Sequence, residues 1–198
     1  MRIVKLTQET EKNILENMLK RSPGQYGEYE SRVQEILARV KEQKDEAVFH
    51  YTKQFDRADI GPENVRVTGQ EIEEAYRQVD PELLQVMKKA LENIRSYHAL
   101  QKQNSWFEST EKGTMLGQKL TPLKTVGVYV PGGKAAYPSS VLMNIVPAKV
   151  AGVDRIIMCT PCNVRGQVNP IVLAAAKEAG ADEIYNCLLY TSDAADEL

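Results

Sequence analysis

Thr125-Val-Gly-Val-Tyr-Val-Pro-Gly-Gly-Lys-Ala-Ala-Tyr-Pro-Ser-Ser140 carries the reading that decides the fold. The β-branched run Thr125–Val130 predicts a strand, stopped by Pro131-Gly132-Gly133. Ser139 to Ala151 then reads as a helix, with an interruption expected at Pro147, which lacks the N–H that would continue the ladder. Arg155–Thr160 is a second apolar strand closed by Pro161, and Asn169-Pro170 caps and opens a helix over Ile171–Ala179 that Gly180 ends. Glu183-Ile184-Tyr185 begins a third strand. The order β-α-β-α-β is half of a doubly wound parallel sheet, with right-handed crossovers expected. If the sheet ends at this third strand, that strand's outer edge is expected to be unpaired.

Upstream, the pattern changes. Residues 1–112 hold 38 charged side chains, whereas residues 113–187 hold 11 and six of the nine prolines. A charged, periodic stretch before a weakly charged one predicts helices first and a buried α/β unit second. A short helix is expected over residues 8–20, ending before Ser22-Pro23-Gly24. One long amphipathic helix is expected from Tyr29 to Phe55, with Val33, Ile36, Leu37, Val40, Ala47, Val48 and Tyr51 near helical spacing. Thr68 and Glu71 have capping-box spacing, and Asp80-Pro81 opens a helix whose stripe Leu84, Met87, Leu91, Ile94 and His98 runs toward Gln103. The expected organisation is a helical N-terminal region at 1–112, a partial Rossmann-like domain at 113–186, and a tail at 187–198.

The chain has 198 residues, with 25 Lys and Arg against 27 Asp and Glu, a net charge of −2. That balance gives no reason to expect a polyanion-binding face, so nucleic acid is not the expected partner. Its apolar runs fall far short of the roughly 20 residues of a bilayer span, so no membrane partner is expected. MRIVKLTQETEKN lacks the apolar core of a secretory signal, and three cysteines build no disulfide framework. The chain reads as cytoplasmic.

Ligands of such sheets sit outside the carboxyl ends of the strands, which points to the loop Tyr129–Ser140. Its glycines permit close backbone approach, Lys134 can meet a phosphate, and Ser139 or Ser140 can cap the next helix. The loop matches neither the Gly-x-Gly-x-x-Gly fingerprint nor a Walker loop. From residue types alone it is either a ligand-contacting loop or a tight turn. Cys159-Thr160-Pro161-Cys162 has Cys-x-x-Cys spacing but no clear helix start after it and no second ligand pair. His50 and His98 lie far apart on helical segments and do not form a zinc motif.

The run Val126–Asn144 closely resembles histidinol dehydrogenases. The likeness continues through Pro147–Val153 and Asn169–Tyr185, and upstream through Val65–Tyr76, Glu92–His98 and Gln103–Phe107. The resemblance implies an α/β enzyme with a helical N-terminal region and an incomplete Rossmann-like sheet, of aldehyde-dehydrogenase-like architecture, assembled as an intertwined homodimer. It implies oxidation of L-histidinol through the aldehyde to L-histidine, with two NAD and a bound zinc. Carried over residue by residue, it assigns an NAD contact to Tyr129 and a shaping role in the same loop to Pro131, Gly132 and Gly133. No catalytic residue and no zinc ligand maps onto this chain. The resemblance sets both in a downstream segment.

After Tyr185 or Asn186 the likeness breaks. The family continues into a Gly-Gly-Ala-Gln-type segment, whereas this chain has Cys187-Leu-Leu-Tyr-Thr-Ser-Asp-Ala-Ala-Asp-Glu-Leu198. That tail reads as foreign sequence. The function implied is that of a truncated histidinol dehydrogenase, inactive alone. The alternative is a non-catalytic nucleotide-binding or oligomerisation module.

Overall fold

The computed structural model describes Thr7, Thr10, residues 27–132 and residues 136–186. Apart from Thr10, the helix expected over residues 8–20 lies outside them, as does the tail at 187–198. In chain order the elements are α1 (Gly27–Gln43), α2 (Asp45–Phe55), α3 (Gly69–Gln78), α4 (Pro81–Ala99), β1 (Trp106–Ser109), β2 (Met115–Gln118), β3 (Thr125–Tyr129), α5 (Pro138–Ala151), β4 (Arg155–Thr160), α6 (Pro170–Ala179) and β5 (Glu183–Asn186).

The long helix expected over Tyr29–Phe55 is two helices. Lys44 separates α1 from α2, with φ of 50°. A continuous helix would leave its apolar stripe facing outward. Folding at Lys44 turns Ile36 and Val40 of α1 onto Ala47 and Tyr51 of α2, and all four are buried. The gain from that burial outweighs the backbone strain of one non-glycine residue at positive φ. Asp45 and Glu46 in the first turn of α2 suit the positive end of its dipole.

The local start signals act as expected. The Thr68 hydroxyl accepts from the Glu71 N–H at 3.2 Å, and the Glu71 carboxylate accepts from the Thr68 N–H at 2.7 Å. Asp80 caps α4 through the Glu82 N–H at 2.7 Å. α4 stops at Ala99, short of Gln103, where the Leu100 N–H turns back to the Tyr97 and His98 carbonyls. Beyond it lies an antiparallel hairpin, β1 against β2, pairing Trp106 with Gln118 and Ser109 with Met115. The composition change near residue 112 falls in its turn, where the Gly113 N–H bonds the Thr110 carbonyl at 2.9 Å.

β3, β4 and β5 form a parallel sheet in that order, with Val128, Met158 and Ile184 in register. Two successive crossovers in one direction put α5 and α6 on the same face, where they pack on each other. Ile156, Met158 and Ile184 point into that side, and Val141, Leu142, Ile145 and Val146 of α5 meet them there. α3 and α4 form an outer layer, α3 on α6 and α4 on α5. Tyr76 of α3 donates to Glu178 of α6 at 2.5 Å, and Lys177 lies 4.4 Å from the Tyr76 ring centre.

Two further expectations need correction. α5 is continuous through Pro147 rather than interrupted there. The carbonyl deprived of its donor is that of Met143, an exposed position, while Val141, Leu142, Ile145 and Val146 keep the helix seated. The outer edge of β5 is also paired. The Val67 N–H donates to the Ile184 carbonyl at 2.9 Å, and the Asn186 N–H donates to the Val65 carbonyl at 2.8 Å. The segment before α3 thus adds an antiparallel fourth element to the sheet.

Asp182 joins the second crossover to the sheet. Its N–H donates to the Ile156 carbonyl at 2.9 Å, and its carboxylate accepts from the Ile156 N–H at 2.8 Å and from Lys149 at 2.9 Å. Burial opposes ionisation, but the Ile156 N–H, Lys149 and Arg155 outweigh it and hold the carboxyl below its ordinary range. A carboxyl depressed in the fold stabilises above its unfolded pKa of about 3.9. That contribution disappears as pH falls through the folded value. Asp182→Asn is therefore expected to lower the thermal midpoint at about pH 7 and to change it little at about pH 2, as read by circular dichroism melting. Equal losses at both pH values would contradict this.

Candidate functional site

The carboxyl ends of the three parallel strands meet α3 and the start of α6 around a cavity of about 390 Å³. This is where a sheet of this topology exposes its strand-end backbone to ligands. The inner wall begins at β4. Thr160 is buried at the strand end, Pro161 turns the chain, and Cys162 is buried against Ala58 and Ile60. Asn163 then closes a tight loop, its side-chain oxygen accepting from the N–H groups of Arg165 at 2.9 Å and Gln167 at 3.1 Å. Asn169 caps α6 through the Ile171 N–H at 3.1 Å. Glu71, Glu74, Ala75 and Gln78 of α3 form the facing wall.

Asn186 ties these pieces together. Its amide nitrogen donates to the Asn64 carbonyl at 3.1 Å and to the Gly166 carbonyl at 3.2 Å. One side chain at the end of β5 therefore holds the segment before α3 and the loop after β4. The residue is 2% exposed, and its side-chain oxygen is buried with no partner. An unmatched buried acceptor is a costly group, here offset by the two bonds that the same side chain makes through its nitrogen.

The expected site residues divide. Gly132 lines the cavity. A Cβ built on it would stand 2.9 Å from Pro161 Cγ, so the loop after β3 sits directly on the loop after β4. That contact is the steric reason for a glycine here. Pro131 precedes it, exposed. Val130 is fully buried, and its N–H donates to the Cys159 carbonyl at 2.9 Å, extending the sheet one residue past β3. Tyr129 stands opposite Cys159 in the register. Val126 and Val128 pack toward the helices, so strand alternation directs Tyr129 to the other face of the sheet. It is not among the cavity residues. Gly133 and Lys134 lie outside the described residues. Neither Ser139 nor Ser140 caps α5. Pro138 takes the first helical position, and Tyr137 stands at the N-cap without a side-chain bond.

Cys159 and Cys162 fall in different surroundings, the first half-buried on β4 and the second in the cluster with Ala58 and Ile60. His98 is held by Gln101 at 2.6 Å, and His50 is exposed beside Tyr51. Among the described residues no group of three or more His, Cys, Asp or Glu side chains converges to hold a metal. Sequence reasoning missed the wall contributed by α3 and the binding of both loops by Asn186. The first arises from helix packing that no local pattern records. For the second, the available signal was an amide side chain at a strand end, which is common in turns.

Residues 19–187 match the family model described as histidinol dehydrogenase. The histidinol dehydrogenase of Heliobacterium mobile is 54% identical over 154 residues, covering 78% of this chain and 36% of that protein. That of Bacillus subtilis (strain 168) is 52% identical over 158 residues, covering 80% of this chain and 36% of its own length. The crystal structure of histidinol dehydrogenase from Elizabethkingia anophelis aligns with a TM-score of 0.77 at 35% identity, over 84% of this chain and 38% of that one. The chain thus spans little more than a third of the length of these relatives.

The Gly132–Pro161 contact yields a paired test. Gly132→Ala is expected to destabilise by about 1–3 kcal/mol, the usual range for overpacking a fitted contact. Gly127 has open space around its Cβ position. Gly127→Ala on β3 is expected to be neutral or to stabilise by up to about 1 kcal/mol. Chemical denaturation of both variants measures the difference, and equal effects would refute the steric reading.

Proposed function

The chain belongs to the histidinol dehydrogenase family, and from that premise we propose that it is the cofactor-contacting N-terminal part of an oxidoreductase of histidine biosynthesis. The proposed reaction of the whole enzyme is oxidation of L-histidinol through L-histidinal to L-histidine, with two NAD as hydride acceptors. The observation that carries this reading is the family match across residues 19–187, laid over a parallel sheet with a cavity at its carboxyl ends.

The residues present suit NAD. The loop after β3 reaches the cavity rim at Gly132, where the absence of a side chain lets the loop pack on Pro161. Tyr129, Pro131, Gly132 and Gly133 are the proposed cofactor-binding residues, with Tyr129 offering its ring and the other three shaping the loop. When bound, NAD supplies the hydride acceptor. The chain's own part is to hold the cofactor and to shield its site with α3.

Zinc is a different case. The described residues offer no ligand set for it. Zinc ligands and the proton-transferring histidine and glutamate are proposed to lie in the portion of the relatives' length that this chain does not span. Glu183 does not suit the second role. It accepts from Tyr185 at 2.6 Å, pairs with Arg155 at 2.5 Å and lies 3.7 Å from Arg66. Those partners, Tyr185 foremost, hold it below the ordinary carboxylate range, away from the neutral pKa that suits a general base.

Two further parts of the proposal concern assembly and place. Homodimer formation is supported by the β1–β2 hairpin, where Trp106, Phe107, Met115 and Leu116 are all exposed. A cytoplasmic setting is supported by charge and composition, and no described helix is long and apolar enough to cross a membrane.

Purified 198-residue chain, given histidinol, NAD and zinc, is expected to form no NADH. The same sequence extended to the length of its relatives is expected to turn over, and Tyr129→Ala in that longer protein should raise KM for NAD roughly tenfold, about 1.4 kcal/mol. Turnover by the short chain, after removal of contaminating enzyme, would sink the division of labour proposed.

A further inference from the structure

We infer that Asn144 is a positioning residue for the cofactor contact proposed at Tyr129, holding from α5 the peptide group on which that tyrosine is set. This rests on the reading of Tyr129 as a cofactor-binding residue and adds a side chain that acts through it.

The ladder of the sheet leaves room for such a support. The Arg155 N–H donates to the Lys124 carbonyl at 3.0 Å, and the Val130 N–H donates to the Cys159 carbonyl at 2.9 Å. Alternation along β3 therefore turns the backbone groups of Val126 and Val128 toward β4, and turns the Tyr129 carbonyl to the strand's other side. β4 cannot supply a donor there. Asn144 does, its amide nitrogen donating to the Tyr129 carbonyl at 3.5 Å.

The Tyr129 carbonyl and the Val130 N–H belong to one planar peptide group. That plane is held at both ends, by Cys159 of β4 and by Asn144 of α5. Its rotation would change ψ of Tyr129 and φ of Val130 together, so holding it fixes the backbone from which the tyrosine ring and the loop both depart. The residues that follow are fixed separately, Pro131 by its ring and Gly132 by its contact with Pro161. Asn144 supplies for Tyr129 what Pro161 supplies for Gly132.

The amide is delivered from a rigid element. Val141, Leu142, Ile145 and Val146 of α5 are each 2% exposed or less and belong to the main core, while Asn144 between them is exposed. Its bond joins the last residue of β3 to the second turn of the helix into which the loop runs, fifteen residues on. An exposed side chain off the packed face adds little to stability, so its loss should disturb placement and not folding.

The test has two arms. In the 198-residue chain, isotope-labelled for NMR, Asn144→Asp keeps the size of the side chain and removes its donor. It is expected to shift the Val130 amide resonance, which belongs to the held peptide, with the Met158 and Ile184 amides and the thermal midpoint unchanged. In the protein extended to the length of its relatives, the same variant is expected to raise KM for NAD roughly threefold, with kcat and KM for histidinol unchanged. Added to Tyr129→Ala it should raise KM no further, since its effect passes through that residue. Should Asn144→Asp fold poorly, Asn144→Ala gives the same readings without adding a charge. A Val130 amide that does not move would overturn the role of Asn144. So would an unchanged KM for Asn144→Asp beside a raised KM for Tyr129→Ala, a result that leaves the cofactor reading standing. Additive effects in the double variant would also overturn it, because Asn144 would then act by another route. If neither single variant moves KM for NAD, both readings fail.

Discussion

The handedness of two crossovers governs this structure. Parallel strands cannot be joined by tight turns, so β3, β4 and β5 need α5 and α6 between them, and right-handed connections running in one direction bring both helices to one face. Everything else follows from that face. It fixes which side chains of β4 are buried, with Ile156, Met158 and Thr160 turned in and Arg155, Ile157 and Cys159 turned the other way. It gives α3 and α4 a helical surface to pack on. It also collects all three strand ends on one edge, with the start of α6 beside them, and the cavity forms there.

The N-terminal part is built into this unit rather than attached to it. Val67, Ala75, Val79, Met87 and Leu91 share one core with the strands and helices that follow. Val65 and Val67 bond to β5, and Asn186 returns a side-chain bond to Asn64. Lys177 pairs with Glu73 at 2.7 Å, and Lys88 lies 3.5 Å from Glu178. These surface ion pairs add little individually. Their role is positional, since the first sets α3 against α6 and the second sets α4 against α6.

What could be read from the sequence was what local chemistry decides. Thr68 with Glu71, Asp80 with Pro81 and Asn169 with Pro170 mark helix starts because a side-chain oxygen must satisfy a nearby N–H whatever the tertiary setting. The three apolar strands were legible for a similar reason, as β-branched runs bounded by Pro or Gly. The break at Lys44 was not legible, because lysine is a good helix former and only the burial of Ile36 and Val40 against Ala47 and Tyr51 demands it there. The hairpin was missed because Trp106-Phe107 and Met115-Leu116 place apolar residues side by side, which blurs the two-residue period. Pro147 misled in the opposite direction. It carries a strong local signal, overridden by a helix face already committed to the core. Of the candidate site, the loop at Gly132 was readable from its glycines, whereas the α3 wall depends on a contact between elements about a hundred residues apart.

The carboxylates at the junction of β4 and β5 are held in one protonation state. Asp182 is held by the Ile156 N–H and Lys149, and Glu183 by Tyr185 and Arg155. Both carboxyls sit below their ordinary range because the fold favours their charged forms. A general base that must take up and release a proton near neutrality needs the reverse, a carboxyl raised by burial or a histidine free to turn. Asp56 is raised by burial, but it caps the end of α2 and is not among the residues that line the cavity. The cavity at the strand ends is lined instead by amides, a glycine backbone, apolar side chains and the Glu71 and Glu74 carboxylates. The carboxylates that tie β4 to β5 are held ionised by these partners, and a group held in that state is a poor carrier of protons.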